Sequence, residues 1–325
     1  VTPAPAGAPV PTRRRTGALA IAGAGACFGT TFALTRRALV GVGPAPFLAL
    51  RFSLAALLLA PLALRRPSSP GLLRDGAVAG LALLAGYLLQ TWGLTSVTGP
   101  VSAFETNLLV VIVPILSALV LRRRPSGASV LGAGLAAAGL WLLTGGVTGF
   151  GLGDGLTVGC AVAFAWNIVV LGRVAPRHDA LRLTAVQLAV VAGGAWLVAG
   201  AGLLAPGVAS SLGTGAHPLG SGGFAFGMGA LAAVGATAVL GSVVAYGLQT
   251  WGQRRVEPSR TAILLLAEPV TAALVGLALG DALSPVALAG AGVILGAIVL
   301  SELGSDRARP PDPGAGPERR PCSPG

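Results

Sequence analysis

The sequence predicts an all-α integral membrane protein of ten transmembrane helices arranged as two inverted five-helix repeats, and three observations carry the prediction. The first is the density of apolar residues. With 54% hydrophobic and 10% charged residues and a mean hydropathy of +0.80, the chain holds more apolar surface than a water-facing fold can bury. The second is an internal echo, because YLLQTWGLTSVTGP at 87–100 returns as YGLQTWGQRRVEPS at 246–259. Each copy closes one long apolar run and precedes another that a proline interrupts, Pro114 in the first case and Pro269 in the second. The third is the charge beyond the QTWG of each copy. In the first copy the QTWG runs into an uncharged loop and in the second into Arg254, Arg255, Glu257 and Arg260, so the copies are predicted to end on opposite sides of the bilayer. Related halves of opposite orientation are a construction of secondary transporters.

Apolar runs long enough to cross about 30 Å of hydrocarbon lie at 17–35, 46–64, 76–96, 101–121 and 128–146 in the first half. In the second half they lie at 152–172, 181–204, 224–250, 261–280 and 284–303. Gly, Pro and Arg punctuate the junctions, as short turns between packed helices require. The division that follows is 1–16 as a disordered amino-terminal segment, 17–147 as the first repeat, 152–303 as the second, and 304–325 as a disordered tail rich in Pro, Gly and charge. The loop 205–223 has the composition of a flexible outer connection.

Arginine supplies the orientation. The chain has no lysine, and the clusters Arg13–Arg15, Arg65–Arg74, Arg122–Arg124, Arg173–Arg182 and Arg254–Arg260, with the arginines of the tail, all fall on one side if both termini are cytoplasmic. Only Arg36 and Arg37 then face out, with Arg51 inside the second span. The same dispersal in small clusters between apolar runs argues against a nucleic-acid patch despite the net charge of +11. A competing reading takes Arg13–Arg15 and the following GALAIAGAGAC as a cleaved signal peptide ending near Cys27. It would leave nine spans and an unpaired half.

Cys27, Cys160 and Cys322 form no disulfide framework and no zinc-binding spacing. No phosphate-binding glycine loop, paired zinc histidines or nucleophile elbow is present, so no catalytic residue, cofactor or metal is assigned. Asp75, Asp154 and Asp281 lie at span ends and read as solvated caps.

The candidate transport residues lie in the spans. Pro114 and Pro269 each remove a helical hydrogen bond and kink the axis, freeing a carbonyl for a substrate, or else they are packing kinks satisfied by neighbouring helices. Pro269 sits four residues earlier than Pro114 relative to its QTWG segment, about one helical turn. Glu268, next to Pro269, is a carboxylate within hydrocarbon and therefore a candidate coupling group, with a structural hydrogen bond as its alternative role. Glu105 is a second coupling candidate nearer the outer surface, where a hydrated mouth accounts for it. Arg51 is expected to snorkel to the headgroups, with pairing to Glu105 as the lesser reading.

Trp92 and Trp251 suit the interfacial belt, while Gln90 and Gln249 could line a cavity, with Asn107, Asn167 and Gln187 as weaker candidates. Interhelical hydrogen bonds are the alternative for all of these amides. The GAG pairs at 132–134 and 290–292, and Gly292 to Gly296, would let helices pack closely within one chain or between two copies, so a homodimer is compatible with them.

Three stretches then resemble the EamA family of the drug/metabolite transporter superfamily. They are LTSVTGPVSAFETNLLVVIVPILSALVLRRRP, GLGDGLTVGCAVAFAWNIVVLGRVAPRHDALRLTAVQ and QTWGQRRVEPSRTAILLLAEPVTAALVGLALGDALS, within a similarity covering 17–303. The resemblance implies two inverted five-helix halves around a central cavity, alternating access, and export of metabolites or drugs across the bacterial inner membrane. Glu268–Pro269 matches a recurrent EP of the ninth helix, which favours a structural role. Gly280–Asp281 stands where the family usually has GE, and RRRP ends the first-half stretch instead of GE, as in one subset. The partners implied are a small-molecule substrate and the lipid bilayer, without nucleic acid, and proton antiport is the expected energy source. A non-transporting scaffold or an intramembrane enzyme is the competing class, the enzyme requiring a tight acidic or nucleophilic cluster.

Overall fold

The computed structural model describes residues 11–39, 43–94, 96–97, 99–122, 127–145, 151–204, 227–278, 280 and 282–307. The loop 205–223 and Asp281 lie outside the described residues. Thirteen α-helices follow one another with no strand among the described residues. They are α1 (Pro11–Leu39), α2 (Pro44–Leu64), α3 (Leu72–Gly93), α4 (Gly99–Asn107), α5 (Leu109–Leu121), α6 (Gly127–Thr144) and α7 (Leu152–Val174). After a short 3₁₀ turn come α8 (Ala180–Leu204), α9 (Met228–Ala236), a π-helical segment (Thr237–Val244), α10 (Ala245–Gln253), α11 (Pro258–Leu265), α12 (Ala267–Ala278) and α13 (Pro285–Arg307). α1 begins at Pro11 and α13 ends at Arg307, so residues 11–16 and 304–307, assigned by composition to disordered termini, are helical.

Eight described helical segments are long and apolar enough to cross a bilayer: Pro44–Leu64, Leu72–Gly93, Val101–Leu121, Leu152–Arg177, Ala180–Ala201, Met228–Gln253, Pro258–Ala278 and Pro285–Leu303. The chain is therefore an all-α, multi-pass membrane bundle. α1 and the shorter apolar helix of α6 stand where the first and fifth spans were expected. Large apolar side chains such as Leu57, Leu119 and Leu197 are 70–76% exposed, as lipid-facing positions should be. Helices apolar on every side suit hydrocarbon outside as well as protein inside.

Close packing is decided by small residues. α6 lies against α13, where a Cβ on Gly139 would stand 2.9 Å from the Gly290 carbonyl oxygen and one on Gly290 would meet Gly139 O at 2.6 Å. Gly132 also packs inward against Ile263. Gly134, Gly292 and Gly296 face open space instead, so only part of the glycine pattern mediates contact within this chain. On α1, a Cβ at Gly25 would approach the Leu265 carbonyl oxygen to 2.8 Å, and one at Gly29 would overlap the Glu268 carbonyl. These two glycines, one turn apart on a single helix face, bring the α1 backbone onto the α11–α12 junction.

That junction is one of two interruptions. Between α4 and α5 the Leu108 amide is shared between the carbonyls of Phe104 and Glu105, both at 3.1 Å, and between α11 and α12 the Leu266 amide bonds Ile263 O at 3.1 Å. Both breaks lie ahead of the prolines and keep closer register with the repeated segments than the prolines do. Pro114 and Pro269 contribute by lacking the N–H that would bond the carbonyls of Val110 and Leu265.

Candidate functional site

The repeated segments end α3 and α10 and meet at the centre of the bundle. The hydroxyl of Tyr246 donates to that of Tyr87 at 2.8 Å, and both side chains are buried. Phe28 of α1, Phe52 of α2 and Phe164 of α7 meet these rings edge to face, with centroids 4.9–5.4 Å apart. Such edge contacts hold the phenols rigidly while their oxygens remain available to polar neighbours.

Two adjoining clefts open around the tyrosines. The first is walled by Phe28, Leu83, Tyr87 and Gln90, by Thr106 and Asn107 at the end of α4, by Phe164, Asn167 and Ile168 on α7, and by Tyr246, Gln249, Leu265 and Glu268. The second shares Phe28, Tyr87, Gln90 and Glu268 and adds Thr31 and Thr35 of α1, Leu48 and Arg51 of α2, Thr91 of α3 and Leu94 just beyond its end. An apolar aromatic floor with a few convergent polar groups is the usual make-up of a small-molecule site.

Five residues predicted as cavity-lining or coupling candidates line these clefts: Gln90, Asn107, Asn167, Gln249 and Glu268. Gln90 donates to Thr106 Oγ1 at 3.3 Å, Asn107 to the Ala103 carbonyl at 2.9 Å, and Gln249 to Gln253 Oε1 at 3.2 Å. Gln253 continues that chain to the Ile168 carbonyl at 2.8 Å, tying α10 to α7. Glu268 borders both clefts, and its carboxylate makes no hydrogen bond or ion pair among the described residues. Pro114 and Pro269 are buried in the packing behind the cleft walls and line neither cleft.

Glu105 lies apart from them. It is 1% exposed and faces Asp154 and Thr157 of α7, with its Oε2 unpartnered, so it is no open hydrated mouth. Asp154 caps the start of α7 through the Gly151 amide at 2.6 Å. The secondary amides act between helices, Asn167 donating to the Ala79 carbonyl at 2.9 Å and to Gln187 Oε1 at 3.2 Å.

Arg51 overturns its expectation. It is 3% exposed and does not reach the headgroups or Glu105. Its Nε donates to Ser242 Oγ at 2.9 Å, and its Nη2 to the Gly241 carbonyl at 3.2 Å and Tyr87 Oη at 3.4 Å. The guanidinium also lies over the rings of Phe52 and Tyr87, 5.1 and 5.2 Å from their centroids. Gly241 is required for this approach, because a Cβ there would stand 2.9 Å from Nη2 and 2.8 Å from Thr31 Oγ1. A length-based reading of Arg51 fails because the π-helical segment, invisible in composition, brings acceptors to it inside the bundle.

The arginine-rich end is tied together. His178 is 3% exposed and bonds Asp75 Oδ2 at 2.8 Å and Ser69 Oγ at 2.5 Å, so Asp75 serves a tertiary contact and is no simple solvated cap. Arg182 donates to the carbonyls of Ala63 and Leu64 at 3.1 and 3.3 Å, and Arg260 forms a two-pronged ion pair with Glu302. Trp251 packs beneath Arg255, whose guanidinium carbon is 4.0 Å from the ring centroid. No cluster of three potential metal ligands occurs among the described residues.

Sequence reasoning missed the tyrosines. They were in view within the echoed Y-x-L-Q-T-W-G, but an isolated tyrosine in an apolar run looks like an interfacial anchor.

A multi-pass helical bundle with a polar cleft at its centre is an architecture that membrane transport proteins use. The EamA-like transporter family matches residues 15–145 and again 151–303, and the chain belongs to that family, one of transporters rather than enzymes. An Archaeoglobus fulgidus protein named as an uncharacterized transporter is 29% identical over 277 residues, covering 85% of this chain and 82% of the relative. A protein of known crystal structure superposes with a TM-score of 0.71 at 20% identity over 91% of this chain and 99% of its own, a likeness of fold.

Proposed function

We propose that the protein is a secondary active transporter of the cytoplasmic membrane that exports small metabolites or drugs by alternating access, with protons as the coupling ion. The observation that carries the reading is the cleft built from both halves, in which Tyr87, Gln90 and Asn107 from one face Tyr246, Gln249 and Glu268 from the other. Amides and a carboxylate are costly among lipid tails, and lining a polar path is the arrangement that makes them useful.

The ten-span inverted organisation belongs to the same proposal. Two successive family matches support it, as does the pattern of packing. α3 packs on α7 as α10 packs on α1, α12 packs on α1 as α5 packs on α7, and the pairs α2–α8 and α6–α13 map onto themselves when the halves are exchanged. Arginine bias supports both termini and the Arg254–Arg260 segment inside. In that orientation the tied end is cytoplasmic and the second cleft lies toward the outside, the pattern of an outward-facing state. The inner ties among His178, Asp75, Arg260 and Glu302 would then separate when the cleft opens inward.

Glu268 is the coupling site of this reading. Gln90, Asn107 and Gln249 contact substrate, Pro114 and Pro269 set the kinks of the helices that present them, and Glu105 is a secondary coupling candidate beside Asp154. Efflux from cells expressing the chain, across a panel of metabolites and drugs at two external pH values, tests the proposal. Retention of every compound at the level of cells lacking the protein would overturn it.

A further inference from the structure

We infer that Arg51 forms an anion-binding subsite in the second cleft and that the transported solute carries a carboxylate or an equivalent anionic group. The inference rests on the transport reading of the cleft and names the substrate chemistry there. Arg51 is a buried guanidinium whose protein acceptors are all neutral: the hydroxyls of Ser242 and Tyr87 and the carbonyl of Gly241. No carboxylate lies within ion-pair distance of it among the described residues, and its Nη1 donors have no acceptor there. Arg51 nevertheless borders a cleft, beside Thr31, Thr35 and Thr91, with Glu268 on the same cleft but not paired with it.

A cation withdrawn from water and left without a counter-charge is expensive, and its planar fork is suited to bind carboxylate oxygens two at a time. A structural clamp on the π-helical segment would need only the Nε and Nη2 contacts. The uncommitted Nη1 and the missing counter-ion point to an acceptor that arrives from the cleft. The hydroxyls of Thr31, Thr35 and Thr91 already donate to the carbonyls of Phe28, Thr31 and Tyr87, so Arg51 supplies the donors for that group. The aromatic faces of Phe28 and Tyr87 would receive an apolar body attached to it.

The test uses the full chain with Cys27 and Cys160 replaced by Ala, Cys322 by Ser, and Thr35→Cys as a reporter in the cleft. Modification of that cysteine by a maleimide is followed with benzoate, benzamide or benzylammonium present, ionic strength being equalised with sodium chloride. Benzoate is expected to protect at a concentration about tenfold below benzamide, the gain typical of hydrogen bonds to a charged group. Arg51→Gln should bring benzoate to the level of benzamide, and Arg51→Lys should keep part of the preference. Benzamide or benzylammonium protecting as well as benzoate would overturn the anion subsite while leaving a cleft that binds solutes. Protection by no probe would also overturn it, and the transport reading would still be judged by the efflux panel. If Arg51→Gln fails to fold, the comparison of benzoate with benzamide in the Arg51 protein decides by itself, because a clamp alone would not favour one isostere over the other.

Discussion

The hydroxyl of Tyr246 donates to the hydroxyl of Tyr87 at 2.8 Å, across 159 residues of chain and from the same position of the two echoed segments. The two halves therefore touch at equivalent atoms. The Tyr87 oxygen also receives Arg51 Nη2 at 3.4 Å, so this contact joins α2, α3 and α10 at one point.

Removing the contact should loosen the two halves together. Tyr87→Phe and Tyr246→Phe are each expected to cost about 0.5–1.5 kcal/mol, the range of interhelical hydrogen bonds in membranes. The double variant should cost less than the sum of the two, because both singles break the same bond. Thermal unfolding in detergent measures this, and strict additivity would mean that the hydroxyls contribute independently.

Glu268→Gln keeps shape and hydrogen bonding while removing titration. In a proton antiporter, acid outside the cell accelerates export by supplying the inward-moving proton. The variant is expected to fold and to lose that acceleration, which efflux rates at pH 6 and pH 8 would reveal. An unchanged pH profile in a folded Glu268→Gln protein would remove it as the proton site.

The glycine contacts separate packed from open positions on the same two helices. Gly290→Leu should cost at least the ~1–3 kcal/mol typical of overpacking, since the Gly139 backbone cannot retreat. Gly292→Leu, two residues away and facing open space, should be neutral or slightly stabilising. Equal destabilisation by both, read from melting temperatures, would place a further packing partner at Gly292.

Arg260 and Glu302 form a largely buried ion pair, with side chains 5% and 29% exposed. Glu302→Gln leaves the cation without its charge partner and is expected to cost toward the lower end of ~3–5 kcal/mol, because Glu302 retains some exposure. Arg260→Met with Glu302→Leu should recover most of the loss. A double variant no more stable than Glu302→Gln would show that the unpaired cation does not account for the destabilisation.

Orientation is testable at Arg254, which is exposed. In a background without native cysteines, Arg254→Cys should resist an impermeant maleimide in intact cells and react after permeabilisation. Ready labelling in intact cells would reverse the topology.

Much of the membrane architecture was legible in the chain of residues, because hydrocarbon imposes requirements that act residue by residue. A span must be long and apolar, so composition and spacing along 46–64 or 284–303 suffice to mark helices, which the structure places at 44–64 and 285–303. The candidate amides were legible for a related reason. Gln90 and Gln249 are polar groups in places where polarity is costly, and both line the cleft.

Contacts between distant segments were not legible in this way. The kinks were assigned to Pro114 and Pro269, yet the helices break at Leu108 and Leu266, where carbonyl sharing and the approach of α1 through Gly25 decide the geometry. Arg51 has the same sequence surroundings whether it snorkels or turns inward. Only the π-helical segment, placing Gly241 and Ser242 within reach, settles that it turns inward.

By itself the sequence determined the helical membrane class, the echo between the halves and the amides that cannot face lipid, since each follows from the solvent a residue must meet. The tertiary structure alone decided that Tyr87 meets Tyr246, that Arg51 is buried among neutral acceptors, and that Glu105 stands apart from the cleft. These depend on directional hydrogen bonds and on close approach at glycines, which arise when helices far apart in the chain are packed together.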